Sequence, residues 1–323
     1  MGGRSDTGTE NLEPFATRQV AEVEPQRTEQ QWLIEDLWLA QGVGILGGNP
    51  KVGKTFLAAQ IALAVAGNCE VLGKPARLWG PVLFYGAEDR LQALRTRFDG
   101  LASVAGLTLE KLPLYLLDTP ILRIDREKDL WRLRAAIDAH RPRLLVLDPF
   151  IRIARVDENS SAEVSAVLAS LRAIQRDYET AVLLVHHARK SPSSYPQLAL
   201  RGSGDFAAWS DSALYLTRSP HRLQLSVEHR SAPTPEPMSL RLCTDPAPHL
   251  AVLDARSPEP EAVDVLQSEV LRLLSASTRP LSTVDLRQQL RKRKTDVVLA
   301  LETLRKRGII DREPNGWTLA GQG

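Results

Sequence analysis

The residues most able to do chemistry in this chain are Gly48-Asn49-Pro50-Lys51-Val52-Gly53-Lys54-Thr55. They fit the pattern G-x-x-x-x-G-K-[ST] at every fixed position. The two glycines let the backbone bend so that successive N–H groups point into one concavity that holds phosphate oxygens. Lys54 adds a positive charge near the outer phosphates, and Thr55 offers a hydroxyl oxygen to Mg²⁺. This pattern predicts a phosphate-binding loop.

The sequence on both sides of the loop supports this prediction. The apolar residues 43–46 predict a buried strand that enters the loop, and the Ala- and Leu-rich residues 56–66 predict a helix that leaves it. A helix N-terminus offers unpaired N–H groups and a favourable dipole to bound phosphate. We therefore assign all residues from Gly48 to Phe56 to the predicted nucleotide site. The alternative is a Gly-rich turn before an ordinary helix.

Acidic residues follow two other apolar runs. Asp148 ends the run 144–147, and a carboxylate at the C-terminal end of a buried parallel strand faces the ligand crevice. There it could hold Mg²⁺ beside Thr55, or it could cap a helix. Glu88 follows a second run and is a candidate base for an attacking water, a role that Asp89 could share or replace. The alternative is that both acids only begin a helix.

Two histidines and an arginine complete the candidate site. His186 and His187 close the run 181–185, where a polar side chain can sense the outermost phosphate. The pleat of the strand decides which of them faces the nucleotide, because neighbouring side chains point to opposite faces. Arg201 follows a polar stretch and could reach the phosphate bound to a neighbouring subunit, or it could be a solvated loop charge.

The spacing of the apolar runs predicts the fold class. Continuous apolar strands alternate with amphipathic helices at residues 91–101, 128–140 and 161–178, which indicates an α/β fold with a mainly parallel sheet covered on both faces. Shorter runs at 213–217, 222–228, 240–242 and 250–253 predict antiparallel strands that extend this sheet.

Composition sets the broad class of the protein. The chain has 323 residues, of which 43% are hydrophobic and 25% charged, and a net charge of +2 that does not by itself demand a nucleic-acid partner. Cys69 and Cys243 are far apart, so we expect no disulfide framework or zinc site. We also expect no secretory signal, no membrane partner and a cytoplasmic location.

The ends of the chain differ from its centre. Residues 1–30 are polar and predict a disordered tail, residues 31–254 the main domain, and the Pro-rich residues 255–262 a linker. Residues 263–323 predict three helices and a β-hairpin, which is the layout of a small winged helix-turn-helix domain. The cluster Arg291-Lys292-Arg293-Lys294 lies at the start of its candidate recognition helix and could contact DNA phosphates. The alternatives are a solvated helix face or a module for protein contacts.

Together these segments resemble a known family: the RecA-like P-loop ATPases of the hexameric plasmid-helicase type, the RepA-like branch, with an AAA_25-type ATPase domain. The resemblance is carried by GNPKVGKT at 48–55, YGAED at 85–89, LLVLDPF at 144–150, VHHARK at 185–190 and RGSGD at 201–205. It implies a RecA-like fold and hydrolysis of ATP with Mg²⁺ at the interfaces of a ring. It also implies that Glu88 is the base, Asp148 the metal ligand, His187 the phosphate sensor ahead of His186, and Arg201 the arginine finger.

Three functions are compatible with these residues. The first is a Mg²⁺-dependent ATPase coupled to DNA, of the helicase or translocase type, acting in replication or recombination as a homo-oligomeric hexameric ring or filament. The second is an ATP-switched DNA-binding regulator or recombination adaptor without helicase activity, which the predicted winged helix favours. The third is a small-molecule kinase, which needs an acceptor pocket and an arginine-rich lid that the HHARK and RGSGD segments fit poorly.

Overall fold

A nine-stranded β-sheet forms the centre of the protein. The structure is a computed structural model that describes residues 16–24, 32–157, 160–187, 204–218, 223–253, 262–277, 279–306 and 308–320. In chain order the strands are β1 Trp32–Ile34, β2 Trp38–Leu39, β3 Val43–Gly48, β4 Glu70–Val71, β5 Lys74–Pro75, β6 Val82–Gly86, β7 Leu114–Leu116, β8 Leu144–Asp148, β9 Ala181–His187, β10 Ser212–Arg218, β11 Leu223–His229, β12 Met238–Cys243, β13 His249–Val252, β14 Ile310–Glu313 and β15 Gly316–Leu319.

Helices connect these strands. They are α1 Lys54–Gly67, α2 Leu91–Val104, α3 Glu127–His140, α4 Phe150–Ile153, α5 Ser161–Tyr178, α6 Asp205–Trp209, α7 Ala262–Ala276, α8 Thr283–Leu290 and α9 Lys294–Lys306, with short 3-10 turns at Val20–Glu22 and Leu109–Lys111. None of the helices in the described part of the chain is long and apolar enough to cross a membrane. Most of the predicted tail and nearly all of the predicted linker lie outside the described residues.

The order of the strands confirms the predicted fold class. Across the large sheet the order is β13-β12-β11-β10-β3-β9-β8-β6-β7, and the strands from β10 to β7 are parallel. Strands β11, β12 and β13 are antiparallel to their neighbours. One prediction was wrong in part, because residues 213–217 do not form a purely antiparallel strand. They lie in β10, which pairs parallel with β3 on one side and antiparallel with β11 on the other.

Apolar side chains cover both faces of the parallel strands, which explains why the runs are continuous in the sequence. In β6, Val82 and Phe84 pack in the core that contains α1 and α2. Leu83 and Tyr85, the alternate residues of the same strand, pack in the opposite core with α3 and α5. Two helical layers therefore enclose the sheet and leave the carboxyl ends of its parallel strands as the edge where a ligand can bind.

The two tryptophans near the start of the described domain pack against this sheet. Trp38 is fully buried and its indole N–H donates to the carbonyl oxygen of Gly42 at 3.2 Å. Trp32 meets the ring of His229 edge-on, with ring centroids 4.9 Å apart. Trp38 thus belongs to the core of its own chain, and the half-buried Trp32 packs on a residue of β11.

The C-terminal elements have a core of their own. Side chains from α7, α8, α9 and the hairpin β14–β15 form one apolar cluster, which includes Val270, Leu286, Leu301 and Trp317. Ser282 caps α8: the Asp285 N–H donates to its hydroxyl at 3.1 Å, and the Asp285 carboxylate accepts from the Ser282 N–H at 3.0 Å. The predicted helices and hairpin are therefore present in this region.

Candidate nucleotide-binding site

The predicted phosphate-binding loop joins β3 to α1, at the carboxyl edge of the parallel strands. Its two fixed glycines are required for different reasons. A side chain on Gly48 would place its Cβ 2.2 Å from the carbonyl oxygen of Leu216 in the neighbouring strand β10. Gly53 precedes α1 with a φ of 102°, a conformation that other residues rarely adopt. The sequence therefore forms a tight loop at this place.

The lysine of the loop lies inside it. The Lys54 ammonium donates to the carbonyl oxygens of Gly48 and Asn49, both at 2.9 Å. Burial lowers the pKa of Lys54 to about 8, and the nearby carboxylates of Asp148 and Glu88 offset part of this shift. The concavity that the sequence predicts for phosphate therefore holds the positive charge of its own lysine in this structure.

The other loop residues differ in exposure. Asn49, Pro50 and Lys51 are exposed, whereas Val52 is buried beneath the loop. Phe56, in the first turn of α1, is half-buried, and the guanidinium of Arg97 lies 4.8 Å from the centre of its ring. The exposed residues are thus the part of the loop that solvent or a ligand can reach directly.

Asp148 lies beside the start of α1, as the sequence predicts. It ends β8, is 5% exposed, and accepts a hydrogen bond from the hydroxyl of Thr55. Burial raises the pKa of Asp148 to about 6, although the bond from Thr55 and the charge of Lys54 act in the opposite direction. A carboxylate and a hydroxyl oxygen in contact are hard oxygen donors of the kind that Mg²⁺ uses. These two side chains fit the predicted metal site.

Few protein groups are available to such an ion. Among the described residues there is no group of three or more His, Cys, Asp or Glu side chains that could hold a metal. Mg²⁺ commonly takes one or two protein ligands and completes its coordination with substrate phosphates and water. The donor pair of Thr55 and Asp148 matches that mode of binding.

The two acids after β6 have different surroundings. Asp89 forms a 2.6 Å ion pair with Arg97, and the side chains are 31% and 17% exposed. Glu88 meets Arg152 at 3.2 Å, with both side chains about half exposed. The Ala87 N–H donates to the Asp148 carbonyl oxygen at 2.8 Å, which fixes the start of this segment next to the predicted metal site. Glu88 is therefore the more accessible of the two carboxylates.

The two histidines at the end of β9 point to opposite faces of the sheet. Leu184 packs in the core of α5, and His186 follows on that face, 3% exposed. Val185 packs in the core of α1, so His187 shares the face of Lys54. Burial and the charge of Lys54 lower the pKa of His187, and its Nδ1 is buried with no hydrogen-bond partner in the described part of the protein. His187 therefore faces the phosphate loop.

Arg201 and Lys190 lie outside the described residues. The described end of the RGSGD motif contacts the first residue of α5, since the Ser161 hydroxyl donates to the Asp205 carboxylate at 2.7 Å. Phe206, the next residue, is buried against Phe150 with ring centroids 5.0 Å apart. The structure thus brings the end of this motif next to the segment after Asp148.

Two arginines near the site were missed by reasoning from the sequence. Arg152 lies four residues after Asp148, so its proximity to a recognised motif was an available signal. Arg97 lies eight residues after Asp89 on the next helix, and no pattern in the sequence marks it. Both arginines contact an acidic residue that the sequence analysis had selected.

Comparison with solved structures shows the same fold in an ATPase domain, a recombinase and a replicative helicase. The solved ATPase domain has 16% identity and a TM-score of 0.50, over 63% of this chain and 82% of that one. The RadB recombinase has 18% identity and a TM-score of 0.50, over 67% and 92%. A DnaB-like replicative helicase, from a structure that also describes its interactions with primase, has 15% identity and a TM-score of 0.50. The match covers 64% of this chain and 56% of that one, so this chain matches little more than half of that protein.

Sequence comparison identifies the family. The AAA domain family AAA_25 matches residues 9–193, which is more than half of the chain and includes the phosphate loop, Glu88, Asp148 and both histidines. The structural matches, at these low identities, independently show a RecA-like fold. The chain therefore belongs to the AAA_25 family of AAA domains and is a RecA-like P-loop ATPase.

Proposed function

We propose that this protein hydrolyses ATP with Mg²⁺ at the carboxyl edge of its sheet and couples hydrolysis to the binding or remodelling of DNA. The observation that carries the proposal is the contact between Thr55 and Asp148 beside a loop that already encloses the ammonium of Lys54. These three groups give one phosphate-binding cation and one pair of metal donors on adjacent elements. That combination serves phosphoryl transfer by positioning and by electrostatic stabilisation.

Each described residue of the site has its own role in the proposed reaction. Lys54 and the N–H groups of the loop bind the outer phosphates, and Thr55 and Asp148 would hold Mg²⁺, which neutralises phosphate charge when bound. Glu88 accepts a proton from a water whose oxygen forms a bond to the γ-phosphorus. The bond from that phosphorus to the bridging oxygen of ADP breaks, and ADP leaves with the electron pair. His187 offers its buried Nδ1 to the γ-phosphate side of the site.

We further propose that a neighbouring copy completes this site. Arg201 would act on the γ-phosphate of an adjacent subunit in a hexameric ring or a filament, as the RepA-like resemblance implies. The support is the RGSGD motif: its described residue Asp205 accepts a hydrogen bond from Ser161, and the next residue, Phe206, packs on Phe150 and His186. Replacing Arg201 with Ala should leave ATP binding intact and lower hydrolysis. Loss of binding instead would place Arg201 within its own subunit's site.

DNA is the proposed partner of the C-terminal elements. We propose that residues 263–323 form a winged-helix domain, joined by the linker 255–262 to an ATPase domain at 31–254. The support is the order of three helices and a hairpin around one apolar cluster. Arg291, Lys292, Arg293 and Lys294 are all exposed where α9 begins, the end of a recognition helix that contacts bases and phosphates.

A second candidate is an ATP-switched DNA-binding regulator or recombination adaptor without motor activity. The observation that favours it is the C-terminal group of three helices and a hairpin around its own apolar cluster. Its exposed basic residues 291–294 add a candidate DNA-binding surface to the ATPase. A motor and a switch differ in what DNA does to turnover. The motor predicts stimulation by single strands and displacement of a paired strand, whereas the switch predicts slow turnover and binding to a duplex site.

The ATPase proposal is tested by measuring phosphate release with the full chain, with and without Mg²⁺ and single-stranded DNA. Lys54→Ala should lower turnover by about 100-fold or more, because it removes the cation at the phosphates. Lys128→Ala, at an exposed lysine in the first turn of α3, is the matched control and should stay near the rate of the unaltered chain. Equal rates for Lys54→Ala and the control would contradict the proposal.

A further inference from the structure

Arg152 projects from a rigid support next to the predicted metal site. It lies in the short helix α4, which begins two residues after Asp148. Phe150 and Ile153 on either side of it are fully buried, and Phe150 meets His186 and Phe206 edge-on. The Arg152 side chain is 60% exposed. The backbone at this position is therefore held by the core while the guanidinium can change partners.

The partner of Arg152 in this structure is the proposed base. One guanidinium nitrogen, Nε, donates to a Glu88 carboxylate oxygen at 3.2 Å. An exposed ion pair with a single contact contributes little stability and exchanges readily. The neighbouring pair is different, because Arg97 binds Asp89 at 2.6 Å, is only 17% exposed and also lies over the ring of Phe56. Of the two adjacent acids, only Glu88 has an arginine partner that is easily displaced.

This pairing opposes the proposed role of Glu88. A carboxylate oxygen that accepts a hydrogen bond from Arg152 is occupied and is not free to accept one from the attacking water. A bound triphosphate changes the balance, because it brings several negative charges to the same edge of the sheet. Arginine binds phosphate oxygens strongly and often through two nitrogens. The γ-phosphate, which must lie next to the water that Glu88 activates, would thus compete with Glu88 for Arg152.

We propose that Arg152 is a γ-phosphate-binding residue of its own subunit, which pairs with Glu88 in the nucleotide-free protein and transfers to the phosphate when ATP binds. The transfer frees the base and adds a positive charge to the phosphate in one step. This inference rests on the proposed function. It gives Arg152 a role distinct from that of Arg201, which is proposed to act on a neighbouring subunit.

The test measures binding rather than turnover. The affinities of the full chain for ADP and for the non-hydrolysable analogue AMP-PNP are determined with Mg²⁺ by titration calorimetry. Arg152→Ala should weaken AMP-PNP binding by roughly tenfold, the effect of losing about one charge-assisted hydrogen bond, and should change ADP binding by less than about twofold. Arg152→Lys, which keeps the charge, should recover part of the loss. Arg155→Ala, at an exposed arginine in the same segment, is the control.

A double-mutant cycle tests the exchange itself. Glu88→Gln removes the competitor for Arg152, so it should raise the affinity for AMP-PNP when Arg152 is present and much less when Arg152 is Ala. An equal gain in both backgrounds would mean that Glu88 only repels phosphate, and it would contradict the exchange. An Arg152→Ala protein with an unchanged ratio of AMP-PNP to ADP affinity would overturn the γ-phosphate contact.

The same measurements separate this inference from the proposed function. If the unaltered chain binds both nucleotides and Lys54→Ala loses both, the nucleotide site is correct, and the ratio measured for Arg152→Ala decides the role of Arg152 alone. If the unaltered chain binds neither nucleotide with Mg²⁺, the proposed function is wrong and the role of Arg152 is wrong with it.

Discussion

The imidazole of His186 stacks on the ring of Phe206, with ring centroids 4.3 Å apart and planes inclined by 23°. The next residue, His187, lies on the opposite face of β9, where burial and the charge of Lys54 lower its pKa. Two adjacent and chemically identical residues therefore have different surroundings. His186 links the end of β9 to α6, which begins at the last residue of the RGSGD motif, whereas His187 faces the phosphate loop.

The two histidines should respond differently to substitution. His187→Ala should lower turnover by about 100-fold, as expected for the loss of a polar group that faces the reacting phosphate, with little change in thermal stability. His186→Ala should lower the free energy of unfolding by about 2 kcal/mol, because it removes a buried ring from an aromatic stack. Phosphate release and thermal unfolding of both variants check this. A large catalytic defect in a fully stable His186→Ala protein would reverse the assignment.

Substitutions of the two acids after β6 should also differ in their effect on turnover. Glu88→Gln should lower turnover by about 100- to 1000-fold, because the amide cannot accept the proton of the attacking water. Asp89→Asn should lower it by less than about tenfold, since Asp89 is already paired with Arg97. Steady-state rates at saturating ATP, with nucleotide affinity measured alongside, make the comparison. A greater loss of rate in Asp89→Asn would identify Asp89 as the base.

Replacing Asp148 with Asn should stabilise the protein and abolish the turnover that Mg²⁺ stimulates. Asp148 is almost fully buried and burial raises its pKa to about 6, so an ionised carboxylate is unfavourable there at pH 7.5. The neutral amide can still accept the bond from Thr55. We expect a gain of about 1–2 kcal/mol in unfolding free energy and loss of Mg²⁺-stimulated turnover. Thermal unfolding and a Mg²⁺ titration of hydrolysis test this, and a less stable variant would contradict it.

His229 should make stability depend on pH. The Leu39 N–H donates to the Ser212 hydroxyl, which contacts His229 Nδ1 at 3.1 Å, and Nε2 lies 3.2 Å from the Asp36 carbonyl oxygen. In a neutral ring, Nδ1 accepts from Ser212 and Nε2–H donates to Asp36. Burial lowers the pKa of His229 below its ordinary 6.5, although the carbonyl and charge of Asp36 act against the shift.

The lowered pKa of His229 determines whether the free energy of unfolding rises or falls with pH. As the pH falls below about 6.5, the unfolded chain binds a proton at His229 before the folded chain does. The free energy of unfolding should therefore fall between pH 6.5 and the lower pKa of the folded state, and this part of the dependence should be absent in His229→Gln. Urea unfolding at pH 7.5, 6.0 and 5.0 measures both slopes. Identical slopes in the two proteins would show that His229 contributes nothing.

Much of the fold could be predicted because apolar runs mark buried parallel strands. The strand at residues 144–147 and the helix at residues 161–178 are found as β8 and α5, the helix with the same ends. The direction of β10 could not be predicted, since a short buried strand suits either a parallel or an antiparallel neighbour. Its pairing depends on where the chain re-enters the sheet, which is beside β3. The residues near β10 in the sequence do not determine that position.

The loop was predictable where its backbone geometry demands one residue type. Gly53 has a φ of 102°, a conformation that favours glycine, so the pattern is informative there. Which histidine faces the loop was not predictable, because a change of one residue in the pleat exchanges the two faces. The contact between Arg152 and Glu88 joins residues 64 positions apart, and only the folded sheet shows it.

The bonds from Lys54 to the carbonyl oxygens of Gly48 and Asn49 also affect how binding constants should be interpreted. An incoming phosphate does not meet a vacant cation; it displaces two existing acceptors from the ammonium. A measured affinity is then a net difference between two bonded arrangements of one group. Substitutions that stiffen or loosen the loop carbonyls can change that affinity without touching any atom that contacts the nucleotide.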